Sequence, residues 1–145
     1  MLIAAALLLA SQAAPCTATD AALPAPLAGW TMPGDSFEPG KPVELQTVDA
    51  ATLKGLPAGT KPGRAAMIGF RVETAGTYGI ALGGKGWIDV LPVAGGAALK
   101  STAHGHGPAC STIVKIVRFA LQPGVYTVAV NGLAATSIKI MLVKD

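Results

Sequence analysis

The chain has 145 residues, 51% hydrophobic and 13% charged, with a formal net charge of +3. That length suits one domain with a real core, and the charge content is about half the ~25% usual in soluble domains. Basic residues are scattered from Lys41 to Lys144 and only 5% of residues are aromatic, which argues against a nucleic-acid footprint or a stacking platform for single strands.

The N-terminus reads MLIAAALLLASQAAPC. Leu2 to Ala10 form an apolar run of signal-peptide length, too short to span a bilayer. Ser11 and Ala13 supply the small residues that precede a cleavage site, so residues 1–14 are expected to be a signal peptide. No Lys or Arg precedes the run; either the true start lies upstream or the terminal amine serves instead. Lipidation at Cys16 competes with this reading, but Pro15 fits a lipobox poorly. Export predicts a periplasmic or secreted protein with no stable transmembrane span. It also predicts that the chain's two cysteines, Cys16 and Cys110, are paired, as cysteines in an oxidising compartment usually are.

Residues 15–42 are rich in Pro, Ala and Gly, as in LPAPLAGW and DSFEPGKP. They read as an extended lead-in laid over the domain, anchored by Leu23, Leu27 and Trp30. Strand signals fill residues 43–145. VELQTV (Val43 to Val48) alternates apolar and polar. After a Gly- and Pro-rich loop come AMIGFRVE, TYGIAL, GWIDVLPV, AALKST, STIVKIVRFAL, VYTVAVN and TSIKIMLVK, most of them bounded by Gly, Pro or Asn. In Thr112 to Leu121, Ile113, Val117, Phe119 and Leu121 are expected on one face with Lys115, and Val114 and Ile116 on the other with Arg118. Lys115 and Arg118 read as exposed positions or edge gatekeepers. No long segment has helical period with caps. The expected fold is all-β, an antiparallel β-sandwich or jelly roll of about eight strands.

An internal echo links FRVETAGTYGIAL (Phe70 to Leu82) with FALQPGVYTVAV (Phe119 to Val130). Each has a strand, a Gly turn and a Tyr two residues after the Gly. The echo predicts two equivalent hairpins, with Gly76 and Gly124 at positions that need a glycine dihedral.

The chemistry concentrates in STAHGHGPAC, Ser101 to Cys110, which holds both histidines. On an extended strand His104 and His106 point to the same side, as two metal bonds require. Asp89, a reduced Cys110, Met67 or Met141 are the possible third ligands, and imidazole suits Cu(II), Zn or Ni. An ordinary surface turn before the strand at Thr112 explains the same residues. A nucleophilic Cys110 conflicts with the disulfide. Ser101 and Ser111 lie near the histidines without a G-x-S-x-G elbow, and the glycines of ALGGKGW and GLAAT lack phosphate-loop spacing. Gly83 to Gly86 read as a hairpin turn. Trp87 faces out if Ile88 and Val90 face in; beside Lys85 it is a candidate binding surface for a sugar or an apolar partner, or it covers a sandwich edge.

The x-x-G-x-Y strand pattern with GWIDVLPV between its copies resembles bacterial pre-peptidase C-terminal domains, from about Met67 to Val143. LPAPLAGW, GTYGIALGGKGWIDV and STAHGHGPACSTIVKIVRFAL together resemble a group of short exported proteins of alphaproteobacteria over nearly the whole mature chain. Those proteins often carry the name homogentisate 1,2-dioxygenase. That name implies a cupin-like enzyme with iron on two histidines and a carboxylate, plus open positions for substrate and oxygen. In this chain His104, His106 and a carboxylate such as Asp89 would have to serve, with no further histidine to orient a substrate. The residues themselves favour a noncatalytic envelope module that binds a protein or a glycan, with Cu or Zn binding at the histidines as the alternative.

Overall fold

Two antiparallel sheets face each other across the main core of the computed structural model, which describes residues 15–145. The segment read as a signal peptide, 1–14, lies outside the described residues. The strands are β1 (Pro42–Gln46), β2 (Val48–Asp49), β3 (Arg64–Val72), β4 (Gly76–Leu82), β5 (Trp87–Pro92), β6 (Ala103–His106), β7 (Lys115–Leu121), β8 (Gly124–Leu133) and β9 (Ser137–Lys144). One sheet has the order β1-β9-β4-β7-β6 and the other β2-β3-β8-β5. The expected all-β sandwich is therefore the observed fold.

Period-two alternation builds the core. Ile138, Ile140 and Leu142 of β9 meet Val128 and Val130 of β8 between the sheets. The alternate residues Met141 and Val143 face outward, into a second core on the far side of the five-stranded sheet. The lead-in supplies the cover for that core: Leu27 and Trp30 are buried against Ala81, Ile116 and Met141. A 3-10 turn over Ala25–Thr31 presents both side chains. β9 is apolar on both faces because both faces of its sheet are covered.

Several expectations change. VELQTV is not one strand; it breaks at buried Thr47, so β1 and β2 lie in different sheets. The Thr47 hydroxyl donates to the Ala135 carbonyl and accepts from Arg64 Nε at 2.8 Å, which satisfies the break. AALKST is not a strand. The chain leaves β5 through Gly95 and Gly96, both at positive φ; Leu99 then donates one backbone bond to Val90 and packs against the main core. β7 starts at Lys115 rather than Thr112, and Ile113 joins the outer core with Ile116 instead of sharing a face with Val117. The Gly83–Gly86 turn joins β4 to β5, which lie in opposite sheets, so it is a crossing and not a hairpin.

The internal echo is structural, though it too consists of crossings. β3–β4 and β7–β8 both pass from one sheet to the other. β3 pairs with β8 and β4 with β7, so Phe70 stands opposite Tyr126 and Phe119 opposite Tyr78. Tyr78 Oη donates to the Thr74 carbonyl at 2.7 Å, and Tyr126 Oη donates to the Gln122 carbonyl at 2.8 Å. Each arch is locked by a tyrosine reaching back four residues, the device called a tyrosine corner. Gly76 is not among the glycines at positive φ, contrary to the turn expectation.

Candidate functional site

His104 and His106 lie on a strand, not on the loop expected from HGHG. β6 is an edge of the five-stranded sheet and all four of its residues are exposed. His104 stands opposite Val117 and His106 opposite Lys115. The strand ends where Gly107 comes against Ile113: a Cβ at Gly107 would sit 2.0 Å from the Ile113 carbonyl oxygen. Only glycine permits that approach.

The return from β6 to β7 is clamped by the lead-in. Cys16 and Cys110 form the expected disulfide, with Cα atoms 5.4 Å apart and a separation of 94 in sequence. Asp20 N–H donates to the Cys110 carbonyl at 2.9 Å. The Asp20 carboxylate accepts from Thr112 N–H at 2.7 Å and from its hydroxyl at 2.6 Å. Trp30 Nε1 donates to the same hydroxyl at 2.8 Å. Asp20 and Cys110 both take left-handed backbone, φ 59° and 57°, conformations that need surrounding contacts to persist.

Between the sheets' free edges, at the β5–β6 side, is a cavity of about 280 Å³ lined by Trp87, Ile88, Ser101, His104, Lys115 and Val117. Val117 and Ile88 belong to the main core and form its apolar floor. Lys115 is half-buried, not an exposed gatekeeper; its Nζ donates to the Gly86 carbonyl at 2.6 Å and ties β7 to the β4–β5 connection. Arg118 does pair at the surface, with Asp145 at 2.9 Å.

Trp87 is 50% exposed while Ile88 and Val90 are buried, as the alternation predicts. Its Nε1 donates to Asp89 Oδ1 at 3.1 Å. The cation over its ring is Lys61, at 5.2 Å, whereas the expected Lys85 is an exposed residue of the preceding turn. Asn131, fully buried, donates from Nδ2 to Asp89 Oδ2 at 3.2 Å and accepts the Lys61 backbone N–H at 2.9 Å. Both Asp89 oxygens are thus occupied on the face opposite Ile88. The structure does not bring Asp89 to the histidines. Among the described residues no group of three His, Cys, Asp or Glu side chains is placed to hold a metal ion.

Sequence reading missed Lys61 and Asn131, and gave Ser101 and Lys115 no part in a binding cavity. Asn131 and Gly132 carry an Asn-Gly signal that reads as a turn; burial on a long strand turns the amide into a bridge instead. Also missed was a larger cavity of about 520 Å³ near the β3–β4 arch, with Phe37, Arg71, Glu73, Tyr78 and Lys144 in its wall. Among the described residues no helix is long and apolar enough to cross a membrane. The chain matches no protein-family model, and no curated protein or solved structure is significantly similar to it.

Proposed function

We propose that this chain is an exported, noncatalytic binding module of the bacterial envelope, with its ligand site at the β5–β6 side of the sandwich. The observation that carries the reading is the 280 Å³ cavity whose lining includes both Trp87 and His104 together with Ile88 and Val117 of the main core. Ligand sites combine apolar lining with a few convergent polar groups, here Ser101, His104 and Lys115. The disulfide fits an oxidising compartment, and the apolar N-terminal run supports periplasmic or secreted location. A glycan or an envelope protein is the expected partner; an aromatic face beside hydrogen-bonding groups suits a sugar.

The test is an amide-resonance titration of the oxidised mature protein with soluble peptidoglycan fragments. Shifts are expected to gather at Trp87, Ser101, His104 and Lys115. Trp87→Ala is expected to weaken binding about tenfold, about 1.4 kcal/mol. Unchanged binding in both Trp87→Ala and His104→Ala would remove this site.

A metal-binding reading, with Cu or Zn, is supported by a separate observation: His104 and His106 are both exposed and share one side of β6. Among the described side-chain hydrogen bonds none engages either imidazole. The dioxygenase reading has its own test. Oxygen uptake with homogentisate and Fe(II) would replace the noncatalytic proposal; no uptake by iron-loaded protein would end the enzyme reading.

A further inference from the structure

The free edge of β6 has a definite hydrogen-bonding pattern. Gly107 N–H donates to the Val114 carbonyl at 3.3 Å, in the same register as Gly105↔Ile116 and Ala103↔Arg118. Antiparallel pairs alternate between bonded and non-bonded. The backbone groups of Ala103 and Gly105 therefore point toward β7. Those of His104 and His106 point outward, along the edge. All four residues are exposed, and a Cβ placed on Gly105 would meet nothing within 4 Å.

That pattern selects a partner. A second copy of β6, antiparallel and related by a two-fold axis through Gly105, sets each His104 opposite the partner copy's equivalent of His106. These are the residues whose N–H and C=O groups have no backbone partner among the described residues, so the edge bonds close without a register slip. All four imidazoles then lie on one face. Opposed Cβ atoms are about 4.5–5.5 Å apart, and positions two apart on one strand are roughly 6.5–7 Å apart. One chain supplies two ligands and holds no third nearby among the described residues. A structural zinc site takes four, the number that two copies supply. Lys115 is the cation opposite His106, and its ammonium is tied to the Gly86 carbonyl.

We propose that His104 and His106 are half of a divalent-metal site shared by two copies of this chain, with Zn(II) the ion that suits four imidazoles. The inference rests on the metal reading of β6 and does not need ligand binding at the cavity. It adds what that reading lacks, a complete coordination shell, and it gives an otherwise open sheet edge a specific partner.

The experiment is sedimentation velocity of the oxidised mature protein with and without Zn(II), paired with zinc calorimetry. The expected result is a monomer in chelator, a dimer with zinc, and one ion per two chains. His106→Gln is expected to abolish the zinc-dependent dimer; His106 does not line the cavity, so peptidoglycan-fragment binding is unchanged. Gly105→Lys keeps both imidazoles but sets two ammonium groups opposite each other across the new pairing. It is expected to weaken dimerisation at least tenfold. A zinc-loaded monomer with one ion per chain would overturn the shared site while leaving simple metal binding intact. Failure to bind zinc at all would overturn both. A dimer that survives His106→Gln and Gly105→Lys would also overturn it.

Discussion

Asn131 ties two parts of the binding face together. Its amide reaches the backbone of Lys61 on one side and the carboxylate of Asp89 on the other. Asp89 in turn fixes the Trp87 indole, and Lys61 lies over that ring. Removing the amide deletes both of these hydrogen bonds, each worth about 0.5–1.5 kcal/mol. Asn131→Ala is therefore expected to lower the melting temperature by roughly 3–10 °C, at about 2–4 to 4–8 °C per kcal/mol for domains of bracketing size. Thermal circular dichroism checks it. An unchanged melting temperature would mean that the loop carrying Lys61 holds its place without the amide. The same change is expected to alter Trp87 emission, since the ring loses its ordered neighbours while buried Trp30 does not.

At the level of elements, the two arches are the structural content of the echoed sequence. Their equivalence makes a quantitative statement. Tyr78→Phe and Tyr126→Phe each delete one hydroxyl bond to a carbonyl four residues back and keep the ring. Each is expected to cost about 0.5–1.5 kcal/mol, and the two costs are expected to agree within about 0.5 kcal/mol, with the double variant additive. Urea unfolding of the three variants measures this, and a cost confined to one tyrosine would show that only one corner bears load. The echo and the alternating strands were legible because side-chain period and Gly-x-Tyr spacing are local properties. Whether flanking strands stay in one sheet or cross to the other is decided by what packs behind them, so the hairpin reading failed at Ala75-Gly76 and Pro123-Gly124. AALKST and HGHG exchanged roles for a related reason. Leu99 is drawn to the core from an irregular segment, while short, polar β6 is a strand only because β7 offers it an edge. Trp87 facing outward was legible from alternation; Lys61 over it was not, because that contact joins residues 26 positions apart through Asn131.

The whole molecule is closed by its lead-in. Without it, Ala81, Ile113, Ile116, Met141 and Val143 would form an apolar patch on the outer face of the five-stranded sheet. Two devices among those that hold the lead-in down are the Cys16–Cys110 bond, and Trp30 with its hydrogen bond to Thr112. A bond closing a loop of about 100 residues stabilises by about 4.7 kcal/mol in the chain-entropy model. Replacing a fully buried Trp by Ala costs about 3–5 kcal/mol. The two devices act on one segment at neighbouring points, so their losses are coupled. With the disulfide intact, Trp30→Ala leaves the lead-in tethered near Thr112, and Asp20 still bridges to that residue. With Cys16→Ser and Cys110→Ser, Trp30 is the largest remaining anchor, beside Leu27 and the Asp20–Thr112 bonds. The triple variant is expected to release residues 15–42 and expose the outer patch. Limited proteolysis with proteinase K, read by mass spectrometry, is expected to cut the lead-in of the triple variant while sparing it in the disulfide-free protein and in Trp30→Ala. Equal protection in all four proteins would show that contacts other than these two seat the lead-in. Equal cleavage in the disulfide-free protein and the triple variant, with Trp30→Ala spared, would assign the seating to the covalent bond and make Trp30 a filler of the outer core.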